Sequence, residues 1–225
     1  MASLRFERVS KTFTMHLRGG TEIGVLRDLS FAVEPAECVV LAGPSGAGKS
    51  TVLRLAQGNY AADAGRIVVE DAGRETDLVA APPREVMAVR RTTLGYVSQF
   101  LQVIPRVPAL ALVAEAAGSE DAARTMLARL NLPERFWDLP PATFSGGERQ
   151  RVNIAISMSA RRPVLLLDEP TASLDAANRD VVAGMIEERR AAGAAILAIF
   201  HDAALRERLA TRLVEVAPMS GRVAA

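Results

Sequence analysis

One nine-residue run limits this chain more than any other feature: Gly43-Pro44-Ser45-Gly46-Ala47-Gly48-Lys49-Ser50-Thr51. It follows the apolar stretch 38–42 and leads into a segment patterned as a helix. The glycines let backbone N–H groups curl around phosphate oxygens, and the helix start adds a favourable partial charge. Lys49 would reach the outer phosphates of a nucleotide, and the Ser50 hydroxyl would ligate Mg²⁺. A buried strand entering this loop and a helix leaving it require an α/β fold.

The rest of the chain agrees. Residues 4–9 alternate apolar and polar, as a strand does, and strand patterning resumes over 24–33 after a turn at Gly19-Gly20. The helix opening at Gly48-Lys49 should stop near Gly58. A short strand is expected at 66–70, a helix at 84–91 and a strand at 94–98. From about 107 to 131 the pattern is Ala-rich and helical, interrupted by Pro108 and Gly118. A long helix should follow Phe144-Ser145-Gly146-Gly147 and run to about Arg161. Beyond it come strand 164–167, helix 177–192, strand 195–199, helix 203–210 and strand 212–216. Apolar strands alternating with helices predict a parallel sheet covered on both faces.

Composition excludes several classes. The net charge of +1 gives no field that favours nucleic acid or anionic lipid, and aromatics at 4% leave few platforms for bases. Cys38 is the only cysteine and lies in an apolar run, so no internal disulfide is possible and a reducing compartment fits. The first residues lack the apolar core of a secretory signal. The longest nearly apolar stretches, 109–118 and 191–200, fall short of the roughly 20 residues a membrane helix needs. The expectation is a cytoplasmic protein with no direct membrane insertion and no nucleic-acid partner.

Asp168-Glu169 ends the apolar run 164–167. In an open parallel sheet, ligands bind at this end of the strands. Asp168 suits the outer shell of Mg²⁺, and Glu169 is placed to orient or deprotonate an attacking water.

With these motifs in hand, nearly the whole chain resembles an ATP-binding-cassette (ABC) ATPase subunit. Phe144-Ser145-Gly146-Gly147-Glu148 is similar to that family's signature sequence, and Gln99 to its Q-loop glutamine. Ser173-Leu174-Asp175 resembles its D-loop, His201 its H-loop histidine, and Phe13 the aromatic that stacks on adenine. The resemblance implies ATP and Mg²⁺ as cofactors, with Ser50, Gln99 and Asp168 toward the metal and Glu169, His201 and Gln99 in catalysis. It also implies a dimer, with itself or with a related ATPase subunit, in which Ser145, Gly146 and Gly147 close on the partner's ATP and Asp175 crosses to the partner site. The implied fold is a P-loop α/β domain spanning 1–225: a mostly parallel core sheet, an N-terminal antiparallel β portion and an inserted helical lobe. The core lobe is expected at about 1–98 and 162–225, and the helical lobe at about 99–161.

A closer resemblance is to the L-subunit family of the bacterial carbon–phosphorus lyase system. It rests on strings such as Tyr96-Val97-Ser98-Gln99-Phe100-Leu101, Val103-Ile104-Pro105-Arg106 and Ile199-Phe200-His201-Asp202. It implies other lyase subunits as partners, in the step that joins a phosphonate to the ribose of ATP with loss of adenine. Two features depart from the ABC pattern: Ile156 stands where an arginine is usual, and the stretch 109–130 is short. Two alternatives stand beside this reading. One is the ATPase half of a membrane transporter, for phosphonate import or of the lipoprotein-release type. The other is a nucleotide-gated clamp without meaningful hydrolysis.

Overall fold

Apolar residues at alternate positions of three short strands decide the architecture. The strands are β3 (Cys38–Ala42), β7 (Val164–Asp168) and β8 (Ala195–Ile199), and all their residues but Ala42 are buried. Cys38, Val40, Leu165, Leu167, Ile196 and Ala198 point into one core, whereas Val39, Leu41, Leu166, Leu197 and Ile199 point into another. Strands with two buried faces are the centre of a parallel sheet. The computed structural model describes residues 1–15, 21–98 and 106–218. In it these strands join β6 (Leu94–Val97) and β9 (Arg212–Glu215) in a parallel sheet of order β6-β7-β8-β3-β9.

A second, antiparallel sheet is built from β1 (Ser3–Met15), β2 (Thr21–Val33), β4 (Ala64–Asp71) and β5 (Arg74–Asp77), in the order β2-β1-β4-β5. Leu4, Phe6, Val9, Ile67 and Val69 from this sheet share one core with α1 (Lys49–Ala56) and one face of the parallel sheet. The strands β1 and β2 are longer than their apolar pattern predicts, because they are bulged. Arg8 and Asp28 adopt positive φ, and their N–H groups donate to Ser30 Oγ at 2.8 Å and Ser10 Oγ at 3.1 Å. The sequence reading missed β5. It closes a two-residue hairpin at Ala72-Gly73, both with positive φ, as a primed turn requires. The expected turn at Gly19-Gly20 lies outside the described residues.

The other face of the parallel sheet is covered by helices. After α2 (Pro83–Thr92) and β6 come α3 (Ala109–Ala117), α4 (Glu120–Arg129) and α5 (Gly146–Ser159). Gly118 ends α3 in the left-handed region, and the Ser119 hydroxyl caps α4 by accepting from Ala122 N–H. Then α6 (Ala176–Ala191) and α7 (Ala203–Leu209) pack beside β7 and β8. Ile156 packs its side chain against this core, so apolar contact stands where the family pattern places a charge. Burial pushes the Cys38 thiol up to about 12, as befits an inert core residue.

Candidate functional site

The run 43–51 bridges the C-terminal end of β3 and the start of α1. Gly48 precedes the helix at φ 100, and no side chain caps the helix N-terminus. A Cβ on Gly48 would come within 2.8 Å of Val25 Cγ1, so both conformation and space require glycine there. Lys49 Nζ reaches back over the loop and donates to the carbonyls of Gly43 and Pro44, each at 2.8 Å. The loop borders a cleft of about 390 Å³ whose walls include Phe13, Ser45, Lys49, Ser50, Glu169 and His201.

Behind the loop, the Ser50 hydroxyl donates to Asp168 Oδ1 at 3.3 Å, and the Tyr96 phenol donates to Oδ2 at 3.3 Å. Asp168 is buried at the tip of β7, and that burial raises its pKa against the pull of Ser50, Tyr96 and Arg54. Tyr96 is itself pushed up to about 12, by burial and then by the negative charge of Asp168. Tyr96 opens the string 96–101, but nothing in the sequence assigns it a task at this site. Its place at the end of β6, paired with Leu166 of β7, becomes visible only once the strands are ordered.

Glu169 leaves the strand with φ 50, and its N–H donates to Ile199 O at 3.1 Å. This turns its side chain toward β8, where Glu169 Oε1 lies 2.6 Å from His201 Nε2. Phe13 meets the Tyr60 ring edge-on at a centroid distance of 5.2 Å, and the Lys11 ammonium lies 5.2 Å from the Phe13 ring. Asp63 orders this corner, accepting from Lys11 Nζ at 2.7 Å and from Thr12 N–H at 2.5 Å.

Ser145, Gly146 and Gly147 do not line this cleft. They start α5, where Ser145 N–H donates to the Glu148 carboxylate at 2.8 Å and Glu148 N–H to Ser145 Oγ at 3.4 Å. That bonding holds the Glu148 carboxyl below its usual range. Gly147 abuts the next turn of chain, for a Cβ there would sit 2.9 Å from Ser173 O. Asp175 is exposed and caps α6, accepting from Asn178 N–H at 2.8 Å, which lowers its pKa. Gln99 lies outside the described residues.

The donor set fits a nucleotide with Mg²⁺. One hydroxyl and one carboxylate meet beside the loop, and among the described residues no cluster of three or more His, Cys, Asp or Glu side chains forms a protein cage. Mg²⁺ favours this arrangement, with phosphate and water completing its shell.

A phosphate loop on a parallel sheet, with an acidic strand end beside it, defines a P-loop nucleotide-binding domain. The chain belongs to the ABC transporter family, whose model matches residues 26–172. It is 34% identical to the lipoprotein-releasing system ATP-binding protein LolD of Novosphingobium aromaticivorans, covering 95% of this chain and 94% of the relative. It is 37% identical to LolD of Ruegeria pomeroyi, covering 92% of each chain. The hemin import ATP-binding protein HmuV of Rhodococcus jostii is 36% identical, over 92% of this chain and 70% of that one. The fold superposes on the dimeric, post-hydrolysis structure of the ATP-binding cassette MJ0796 bound to ADP and Pi. There the TM-score is 0.83 and the identity 25%, over 95% of this chain and 94% of that one. ABC cassettes bind ATP with Mg²⁺, and this chain is an ABC ATPase subunit by family. These relatives are named for lipoprotein release and hemin import and lend no support to the closer likeness to the carbon–phosphorus lyase subunit.

Proposed function

We propose that this chain is the ATP-hydrolysing subunit of an ABC membrane transporter, of the lipoprotein-release type, working as a pair of cassettes on the cytoplasmic face. The observation that carries hydrolysis is the convergence of Lys49, Ser50, Asp168, Glu169 and His201 at one cleft edge. The transporter assignment is supported by the family match and by relatives, named as ATP-binding proteins of a lipoprotein-releasing system, that match along almost the full chain. Among the described residues no helix is long and apolar enough to cross a membrane, so a permease partner would supply the span.

Each residue then has a task. Lys49 exchanges the carbonyls of Gly43 and Pro44 for the outer phosphates of ATP, and the α1 N-terminus donates backbone N–H groups to them. Ser50, Gln99 and Asp168 would hold Mg²⁺, which would supply neutralising charge on the phosphates. Glu169 accepts the proton of a water attacking the γ-phosphorus; the bond to the bridging oxygen breaks, giving ADP and phosphate. His201 holds the Glu169 carboxylate and faces the γ-phosphate position. Phe13 offers its ring to adenine. Ser145, Gly146 and Gly147 serve the partner's ATP, and Asp175 faces the partner. The core lobe (about 1–98 and 162–225) carries the phosphate loop, and the helical lobe (about 99–161) carries the signature.

A second reading is an ATPase subunit of a soluble phosphonate-degrading complex. It is favoured by the strings around Tyr96-Val97-Ser98-Gln99 and Ile199-Phe200-His201-Asp202. A pull-down with tagged Glu169→Gln and ATP, from cells starved of phosphate and fed a phosphonate, separates the two. Recovery of an integral membrane permease establishes the transporter. Recovery of soluble lyase subunits without a permease overturns it in favour of the second reading.

A further inference from the structure

Glu169 is a non-glycine residue at φ 50, a backbone state that persists only where its surroundings fix it from several sides. Two of the ties are local to the site: Glu169 N–H donates to Ile199 O at 3.1 Å, and Ala172 N–H donates to Glu169 O at 3.3 Å. A third arrives from elsewhere in the fold. Gln150, on α5, is 3% exposed, and its Nε2 donates to Pro170 O at 3.0 Å. The same nitrogen donates to Ser98 O at 3.2 Å. An amide nitrogen carries two protons, so both are spent and the side chain has one orientation.

Gln150 is part of a buried polar stripe on α5. Asn153 Nδ2 donates to Ser98 O at 2.8 Å, and Ser157 Oγ to Tyr96 O at 2.9 Å. These two hold α5 against the end of β6. Gln150 also reaches the turn that sets the angle at which Glu169 leaves β7. It lies one turn into the helix that begins at Ser145-Gly146-Gly147, and that helix start touches the same turn of chain at Ser173.

We propose that Gln150 is a positioning residue for Glu169, an inference that rests on the hydrolytic reading above. It fixes the strained turn through Pro170, so the signature helix and the carboxylate that receives the water proton hold one spacing. Glu169 touches the reacting water; Gln150 acts through the backbone beside it.

The test uses the full chain, with steady-state ATP hydrolysis and amide hydrogen exchange for wild type, Gln150→Met, Asn153→Ala and Glu169→Gln. Methionine keeps the length and removes the donor. Displacing a catalytic group by a fraction of an ångström lowers turnover strongly, so Gln150→Met should lose about tenfold in kcat. The Michaelis constant for ATP should stay within about twofold, because phosphate binding is untouched. Exchange at the Ala172 amide should quicken in Gln150→Met alone. Asn153→Ala, which cuts only the tie to Ser98, should keep wild-type turnover and wild-type exchange at Ala172. Wild-type turnover in Gln150→Met overturns the proposal. So does an equal loss in Asn153→Ala, which would make the effect a general loosening of α5. If wild type hydrolyses no ATP, or Glu169→Gln turns over normally, the hydrolytic reading fails instead. Exchange at Ala172 then still decides whether Gln150 holds the turn. Should Gln150→Met not fold, Gln150→Asn, which withdraws the amide by one methylene, reads the same quantities.

Discussion

His201 Nε2 and Glu169 Oε1 stand 2.6 Å apart across the tips of β8 and β7. The carboxylate is the inner member, with its side chain 16% exposed, and the imidazole is the outer one at 67%. Neighbouring strands thus deliver the two groups to one point, with the carboxylate shielded and the histidine facing the cleft.

On the proposed reading, Glu169 is the proton acceptor of this pair. Glu169→Gln should retain ATP binding and lose turnover by about 100-fold or more, the scale of general-base catalysis. With ATP it should accumulate as a closed dimer, read by size-exclusion chromatography. Normal turnover in this variant would remove Glu169 from that role.

Lys49 ties the phosphate loop to itself through two carbonyls, holding a cation where phosphate would arrive. Lys49→Ala should weaken ATP binding by about 10- to 100-fold, the equivalent of one or two charge-assisted hydrogen bonds. Equilibrium titration with a fluorescent ATP analogue measures it, and unchanged affinity would refute the assignment.

Phe13 stands at the cleft with Tyr60 and Lys11 against it, so its ring is oriented before any base arrives. Phe13→Ala should cost about 1–3 kcal/mol of ATP affinity, the scale of one base–aromatic stack. Inorganic triphosphate, which has no base, should bind wild type and variant alike. Equal losses for both ligands would place Phe13 in the core instead.

Acid should weaken the edge of the parallel sheet. Burial raises the Glu37 carboxyl, but hydrogen bonds from Arg212 and from the Glu34 N–H outweigh it and leave the pKa below the ordinary 4.5. A depressed carboxylate stabilises the fold above its unfolded value and loses that contribution as pH falls through the folded one. Wild type should therefore lose this contribution only below pH 4.5. Arg212→Met should be less stable at neutral pH by about 1 kcal/mol, with the gap closing in acid. Urea midpoints across that pH range measure it; a gap independent of pH would place the loss in packing and in the bond from Arg212 to Ala32 O rather than in the ion pair.

The sequence reveals those parts of the fold that rest on local rules. The 43–51 loop, the buried run ending at Asp168 and the capped start of α5 each announce themselves within a few residues. The antiparallel sheet was harder to read, because β2 carries polar residues at many positions and bulges break its period. Its partner β5 has a four-residue sequence, Arg74-Glu75-Thr76-Asp77, with no apolar pattern at all. Tyr96 and Gln150 escaped for another reason. Their partners, Asp168 and Pro170, are distant in sequence and become neighbours only through strand order and helix packing.

The order β6-β7-β8-β3-β9 has a consequence for how the protein is made. The strand β3, which feeds the phosphate loop, is translated well before its neighbours on both sides, β8 and β9. The opposite wall, Glu169 and His201, also emerges after the loop. A growing chain therefore carries its lysine and glycines without a floor beneath them until β8 and β9 follow. Nucleotide capture should wait for β8 and β9, which would leave chains terminated before them unable to compete for ATP.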